Sequence, residues 1–409
     1  MPHLTLSRLA TALALAGVSS LCHAAGFALI EQNASGLGNA YAGQAAVAAD
    51  ASTVFFNPAG MSLLPDSQLV VAGNLIKPSA RFSGTVTAPF PVGGGDGGDA
   101  GDWALVPNFY YTYRLSPAVT LGVGLNSPFG LKTEYDSDWM GRYQAIKSEL
   151  KTVNLNPSIA YKVSDTFSVG AGFSVQWVQA ELTNNIPIIP PGIFPQIQIK
   201  GDDYGWGYNL GALWQPAAAT RVGLTYRSEI DFTLDANSKT SNPSVGALNG
   251  PVAADVTMPA SASLSLVQKL DSKWDLLADV TWTGWSSFDK LAIKGTVNKT
   301  TQENWQDSWR YSLGVTWHQD AAWSWRAGVA YDETPVEDAF RTARIPDSNR
   351  TWLALGGQYR LSDKSVLDFG YAYLFMEDAS INKLDNGTLL RGSYDNSVNI
   401  LSAQYTYTF

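Results

Sequence analysis

The sequence predicts an all-β transmembrane barrel of fourteen antiparallel strands, with an N-terminal hatch from the same chain plugging the lumen. Three observations carry that expectation. The chain ends on an alternating strand, with Leu401, Ala403, Tyr405, Tyr407 and Phe409 set against Ser402, Gln404, Thr406 and Thr408. Successive side chains of a strand point to opposite faces, so this segment has one apolar and one polar face. A membrane barrel requires that pattern, apolar outward and polar inward. Connections between such segments alternate between short and long. An export leader heads the chain, and no run of 18 or more apolar residues follows it, which removes spanning helices.

The leader is residues 1–24. Arg8 gives the positive start, Leu9 to Leu21 the apolar run, and cleavage is expected after Ala24. The chain's 1 cysteine, Cys22, leaves with it, which removes disulfide and thiol chemistry. Residues 25–66 do not alternate. They are rich in small residues from Gly36 to Asp50 and then read Phe55-Phe56-Asn57-Pro58-Ala59-Gly60-Met61. Small residues let backbones pack closely in a confined space, and a periplasmic extension would be more polar. An internal hatch is therefore expected.

The barrel itself occupies 67–409. Its alternating segments fall near 67–81, 103–114, 118–129, 150–163, 166–181, 203–215, 220–233, 256–269, 273–284, 308–318, 323–334, 350–361, 364–376 and 397–409. Short connections carry turn residues such as Ser116-Pro117, Ser164-Asp165, Asp271-Ser272 and Ser362-Asp363. Long ones fall near 82–102, 129–149, 182–202, 234–255, 285–307, 335–349 and 377–396. Tight periplasmic turns with extended outer loops belong to bacterial outer-membrane barrels. A soluble sandwich has no reason to sort its loops this way.

Face assignment agrees. In the tenth segment Trp309, Tyr311, Leu313, Val315 and Trp317 alternate with Arg310, Ser312, Gly314, Thr316 and His318. A charge at the lipid midplane would cost roughly 2–4 kcal/mol, and this outer face has none. In the fifth, Ser168, Gly170, Gly172, Ser174 and Gln176 make a small, polar inner face.

Composition narrows the function. A net charge of -9 argues against nucleic acid, whose phosphates need a basic footprint. Mean hydropathy of -0.07 looks soluble, but alternation averages away a lipid-facing stripe. After cleavage the remaining histidine is His318, at a short turn, so no enzyme is expected. No phosphate-binding loop appears, and no cofactor is expected. The Gly93-to-Asp102 loop, with acids three apart, reads as flexible linker rather than as a calcium or other metal site. The apolar stretch Ile186 to Pro195 exposes Ile188, Ile189, Ile193 and Phe194 on an outer loop stiffened by prolines, a candidate capture surface for hydrophobic molecules.

Ala25-Gly-Phe27, Ser35-Gly-Leu-Gly38, Ala40-Tyr-Ala-Gly43, Asp50-Ala51 and Asn57-Pro58-Ala59 stand in an order that resembles the FadL family of outer-membrane transporters. Ser127-Pro-Phe-Gly130, Trp139-Met-Gly-Arg-Tyr143, Asn156-Pro-Ser-Ile-Ala-Tyr161 and Gly201-Asp-Asp-Tyr-Gly-Trp-Gly207 extend the likeness over the first half. The resemblance implies a hatch-plugged barrel passing long-chain fatty acids or other hydrophobic molecules across a bacterial outer membrane. It implies a lumenal ligand site touched by Phe27 and by the amine of Ala25. It also implies an Asn57-Pro58-Ala59 turn lying against a kinked third strand, where Gly122, Gly124 and Pro128 could weaken the ladder and open the wall sideways. A carboxylate ligand would want a cation, and Arg227, Arg310 and Arg350 fall near outer strand ends, with Arg142 in a long loop. Val175 to Glu181 lacks the basic side chains usual in the family's ligand site, which keeps neutral or aromatic hydrocarbons open as cargo. Expected partners are outer-membrane lipid, lipopolysaccharide and, through Phe409, the barrel-assembly machinery. An outer-membrane lipid hydrolase and an open porin are the rival readings.

Overall fold

The computed structural model describes residues 26–187 and 195–409. Alternating segments from Gln68 to Thr408 close into a 14-strand antiparallel barrel. The first wall strand is Gln68–Thr87 and the second Ala104–Arg114; the third comes in two pieces, Val119–Asn126 and Gly130–Glu134. Lys147–Lys162, Phe167–Asn185 and Gln196–Ala217 are the fourth to sixth. The seventh (Thr220–Arg227, Ile230–Thr240) and eighth (Gly250–Met258, Ser261–Lys269) are each broken once. Trp274–Thr283, Ser308–His318, Trp323–Asp332, Arg350–Ser362, Ser365–Met376 and Thr388–Thr408 complete the wall. The last strand pairs with the first from Gln68↔Thr408 to Thr87↔Leu389, so no sheet edge remains at the seam.

Outward residues are apolar through the middle of the wall: Leu121, Leu125, Val153, Leu155, Ile159, Phe173, Leu313 and Leu401 are exposed there. Two cross-strand tryptophan pairs bracket the belt, Trp274↔Trp317 near the short turns and Trp282↔Trp309 toward the long loops. Eight residues separate them along the strand, which spans about 26 Å at roughly 3.3 Å per residue. Tilted by about 40°, that covers roughly 20 Å of membrane, close to the apolar band of an outer-membrane barrel. Above the belt several strands run farther than alternation indicated, the first to Thr87, the sixth from Gln196 and the last from Thr388. These extensions stand outside lipid, where both faces can be polar.

Residues 26–66 pack against the inward faces of the wall. Glu31 to Gly43 are all buried. Only short helical turns form here, Leu37–Asn39, Gln44–Val47, Thr53–Phe56 and Pro58–Leu63, so most backbone groups need partners from the barrel. The wall supplies them. Gln404 accepts from Ala34 N at 3.0 Å and donates to Asp50 Oδ2 at 2.9 Å. Asn39 donates to Val315 O at 2.7 Å.

Candidate functional site

The wall is interrupted at the third strand. Asn126 faces Asn154 and Gly130 faces Lys151, so three residues (127–129) oppose two on the fourth strand. That extra residue is a bulge, and it bends the strand away from the second. Below it, the second and third strands pair from Arg114↔Thr120 to Phe109↔Leu125. Above it, Gly130–Glu134 pairs with the fourth strand, and among the described residues no ladder joins it to Ala104–Asn108. Farther out, Ala100 closes the gap by donating to Ala80 O and accepting from Glu134 N, both at 2.9 Å. The result is a window in the wall.

The carbonyls of the bulge and the amides of Phe129 and Gly130 are met from inside or from the neighbouring strand. Ser127 O accepts from Gln32 Nε2 at 2.9 Å, and Pro128 O from Leu29 N at 2.8 Å. Phe129 N donates to Thr152 Oγ1 at 3.1 Å, and Phe129 O accepts from the same hydroxyl at 2.6 Å. Gly130 N donates to Phe27 O at 2.9 Å. On the other side, Asn74 and Asn108 both donate to Glu31 O, at 2.6 and 3.1 Å. Residues 27–32 are thus stitched as an irregular inner segment across the window, with a single bridge at Ala28.

Phe27 anchors that segment at the centre of an aromatic cluster. Its ring lies 4.7 Å from Trp285, 5.6 Å from Trp305, 5.8 Å from Phe288 and 6.2 Å from Phe129. Three cavities meet here. An outer one of 90 Å³ is lined by Phe27, Leu150, Leu182, Ile199, Leu234 and Ile293, with Glu303 and Arg344 among its polar residues. A lumenal one of 150 Å³ carries Glu31, Arg227, Asp279, Arg310, Asp332 and Arg350. A third, of 160 Å³, lies at the window beside Phe27, Glu31, Leu131 and Lys132. Each is smaller than the roughly 300 Å³ of an ordinary ligand pocket. Phe27 borders the outer and window cavities, and Ala28, Leu29 and Glu31 border the lumenal and window ones, so this segment lies between the three.

Of the three arginines at the site, Arg350 is ion-paired and the other two meet only neutral oxygens and rings. Arg350 bonds Asp347 Oδ1 at 2.6 Å and Gly26 O at 3.2 Å. Arg227 stacks over Phe55 at 4.3 Å and donates to Ser174 Oγ. Arg310 lies over Trp352 at 5.0 Å and donates to Ala40 O, while its Nε and Nη1 have no protein partner. Burial pushes the Glu31 carboxyl up to about 7, against the lowering effect of its own backbone bond and of Arg350. Burial likewise lifts Glu303 to about 7.

The structure redistributes the sequence candidates. Phe27 and Pro128 meet at the bulge, as neighbours of one bridge between Ala28 and Phe129. Gly122 and Gly124 do not make the kink, since both sit in regular ladder opposite Thr112 and Tyr110. At Gly122 the leading segment presses, since a Cβ there would lie 2.3 Å from Met61 Sδ; at Gly124 the tightest neighbour is the Tyr110 ring of the second strand, 3.0 Å from where a Cβ would stand. Asn57-Pro58-Ala59 also lies elsewhere than expected. Asn57 Nδ2 donates to Ala45 O and Ala212 O, its Oδ1 accepts from Ala59 N, and Ser168 Oγ bonds Ala59 O. That turn therefore rests on the fifth and sixth strands, where a Cβ on Gly170 would stand 2.4 Å from Ala59 N. Arg310 is buried and Arg227 half-buried, both facing the lumen from their strands. Arg142 staples its own loop through Gly93, Asp138 and Trp139 carbonyls. Within the loop read as linker, Asp99 accepts from Ser79, Ala80 and Gly101, which orders it. Ala25, Ile188, Ile189, Ile193 and Phe194 lie outside the described residues. Sequence reasoning missed Gln32, Asn74, Asn108 and Thr152, whose signal was only that inward polar residues must have partners.

His318 meets Asp275 Oδ2 at 2.9 Å and Ser324 Oγ at 3.1 Å. Ser324 is its directly opposed cross-strand partner and is buried, and Asp275, opposite Thr316, is its diagonal neighbour on the adjacent strand.

A closed barrel with an apolar belt, an inward-packed leading segment and a side window defines an integral outer-membrane protein of the transport-barrel class. Residues 15–409 match the family described as outer membrane protein transport protein (OMPP1/FadL/TodX), and the chain belongs to that family. It is 28% identical to a long-chain fatty acid transport protein of Escherichia coli O6:H1, over 99% of this chain and 98% of that one. It is 32% identical to outer membrane protein P1 of Haemophilus influenzae, over 90% and 89%. A Pseudomonas aeruginosa FadL homologue superposes with a TM-score of 0.88 at 25% identity, covering 94% of this chain and all of that one (100%). The Pseudomonas putida toluene transporter TodX shares the fold, with a TM-score of 0.66 at 18% identity over 88% of this chain and 94% of that one.

Proposed function

We propose that this chain imports long-chain fatty acids or similar hydrophobic molecules passively, releasing them sideways through the window at the third strand. In this reading residues 1–24 are leader, 25–66 hatch and 67–409 barrel. Cargo is first captured on the apolar 186–195 loop, whose base is pinned by Ile186 N to Pro195 O at 2.8 Å. It then enters the outer apolar cavity. A long chain gains roughly 0.8 kcal/mol per buried methylene, so each stop must be greasy but incomplete. The supporting observation is that residues 27–31 both cover the window and partition the three cavities. Displacing that segment would at once enlarge the site and open the wall. Likeness to a named fatty acid transport protein over nearly the whole chain supports the substrate class. Neutral hydrocarbons are the second reading, favoured by the mainly apolar lining of the outer cavity, where Arg344 is offset by Glu303 and Glu149. We assign no reaction to the chain. Lipopolysaccharide would meet outward Lys151 and Lys200, and the assembly machinery would meet Phe409.

Deleting Pro128 tests the route. The deletion restores one residue opposite one between Asn126 and Gly130, letting the upper third strand continue its ladder. Uptake of hexadecanoate by cells making the full chain should fall to background while folded barrel persists. Unimpaired uptake would eliminate the lateral path.

A further inference from the structure

The window is chemically two-sided along its height. Its lower border is apolar and faces lipid: Trp103, Leu105, Leu125 and Val153 are 57, 67, 44 and 43% exposed. Its upper border is charged. Lys132, on the outer half of the third strand, bonds Asp102 Oδ2 at 2.5 Å and lies 3.7 Å from Glu134 Oε2. Lys77 reaches across from the first strand to Gly101 O at 2.9 Å. On the next strand the outward face changes from Val153 to Lys151 and Glu149, the latter two paired at 2.8 Å, so lipid tails give way to headgroups at this height.

The 160 Å³ cavity runs through this gap. It is lined by residues of the inner face, Glu31, Leu131, Thr133 and Arg350, and also by outward Ser79 and Lys132. An amphiphile passing sideways would therefore have its tail at the apolar border and its head at Lys132.

We propose that Lys132 is the headgroup station of the exit, receiving the carboxylate of an anionic amphiphile as its tail slides into the outer leaflet. The assignment rests on the lateral route proposed above. Asp102 and Glu134 are about half exposed, at 53 and 51%, so Lys132 can exchange either for a cargo carboxylate without burying charge. Such exposed pairs contribute little stability, which makes the exchange nearly isoenergetic. No bond is made or broken. The lysine discriminates by head chemistry, because a neutral hydrocarbon gains nothing from it.

The test compares initial uptake of radiolabelled hexadecanoate and hexadecane by cells making the full chain, with folded barrel quantified in each strain. Lys132→Met should slow hexadecanoate roughly threefold, because it removes an exposed ion pair and leaves Asp102 and Glu134 to repel the incoming carboxylate, and leave hexadecane unchanged. Lys132→Arg should retain both. Equal slowing of both probes would make Lys132 a strut of the wall, and an unchanged hexadecanoate rate would remove the station; either overturns the proposal. Failure of the parent reading looks different: the Pro128 deletion would then leave both probes entering at the wild-type rate, or wild type would import neither.

Discussion

Truncating Phe27 to alanine should unfasten the inner segment from the window. The ring is 4% exposed and touches four other aromatic rings, so its removal falls in the class of buried Phe→Ala changes that cost about 3–5 kcal/mol. What remains to hold residues 27–32 to the bulge is Leu29 N to Pro128 O, Gly130 N to Phe27 O and Gln32 Nε2 to Ser127 O. At about 1 kcal/mol net each, these contribute roughly 3 kcal/mol, less than or equal to the loss. The detached population should rise by roughly a hundredfold to several thousandfold, at 1.4 kcal/mol per decade. Amide hydrogen exchange on the detergent-extracted full chain reads this directly. The Leu29 and Gly130 amides should exchange at least about a hundred times faster, while amides of the seam between Gln68–Thr87 and Thr388–Thr408 keep wild-type rates. Exchange at Gly130 within about threefold of wild type would refute the view that Phe27 is what seats the segment.

Asn57→Ala removes a buried side chain that makes three hydrogen bonds, about 3 kcal/mol in all, and should impair hexadecanoate uptake while the barrel still assembles. Normal uptake in that variant would show that the turn on the fifth and sixth strands does not govern the hatch. A pH dependence should follow from Glu31, with Arg350, Asp332 and Arg310 as its charged neighbours. Its carboxyl is raised from 4.5 to about 7 in the seated state, so protonation favours seating. That stabilisation is fully present below pH about 4.5 and is lost as pH climbs through about 7, amounting to about 3 kcal/mol. Gly130 exchange corrected for its intrinsic rate should therefore accelerate between pH 5 and 7.5 and then level off. Glu31→Gln should flatten the profile; a parallel rise in that variant would assign the effect elsewhere.

The wall was legible because each strand carries its own evidence. Trp309 to His318 declares its lipid face without reference to any other segment, and so does Leu401 to Phe409. Strand ends above the membrane were not legible, since water on both faces erases alternation; Ser83 to Thr87 has none to read. The site lies between these extremes. Phe27 and Pro128 stood in recognisable stretches, but which strand receives Asn57 could not be inferred, because any inward glycine could admit the turn. Gly170 and Gly211 are the ones that do. The bulge itself is a matter of counting two strands against each other, three residues opposite two, and that count exists only once they are paired.

The long pairing of Gln68–Thr87 with Thr388–Thr408 has a consequence for biogenesis. The ring cannot be completed until Thr388–Thr408 has been made, whereas residues 26–66 precede that strand along the chain. Gln404, on that last strand, holds Ala34 and Asp50 of the leading segment. Maturation therefore resembles fastening a coat over something already in the inside pocket: zipping first and inserting later would demand threading the leading stretch through a finished hoop. A truncated chain lacking Thr388–Thr408 would leave two bare margins and nothing to retain its own beginning.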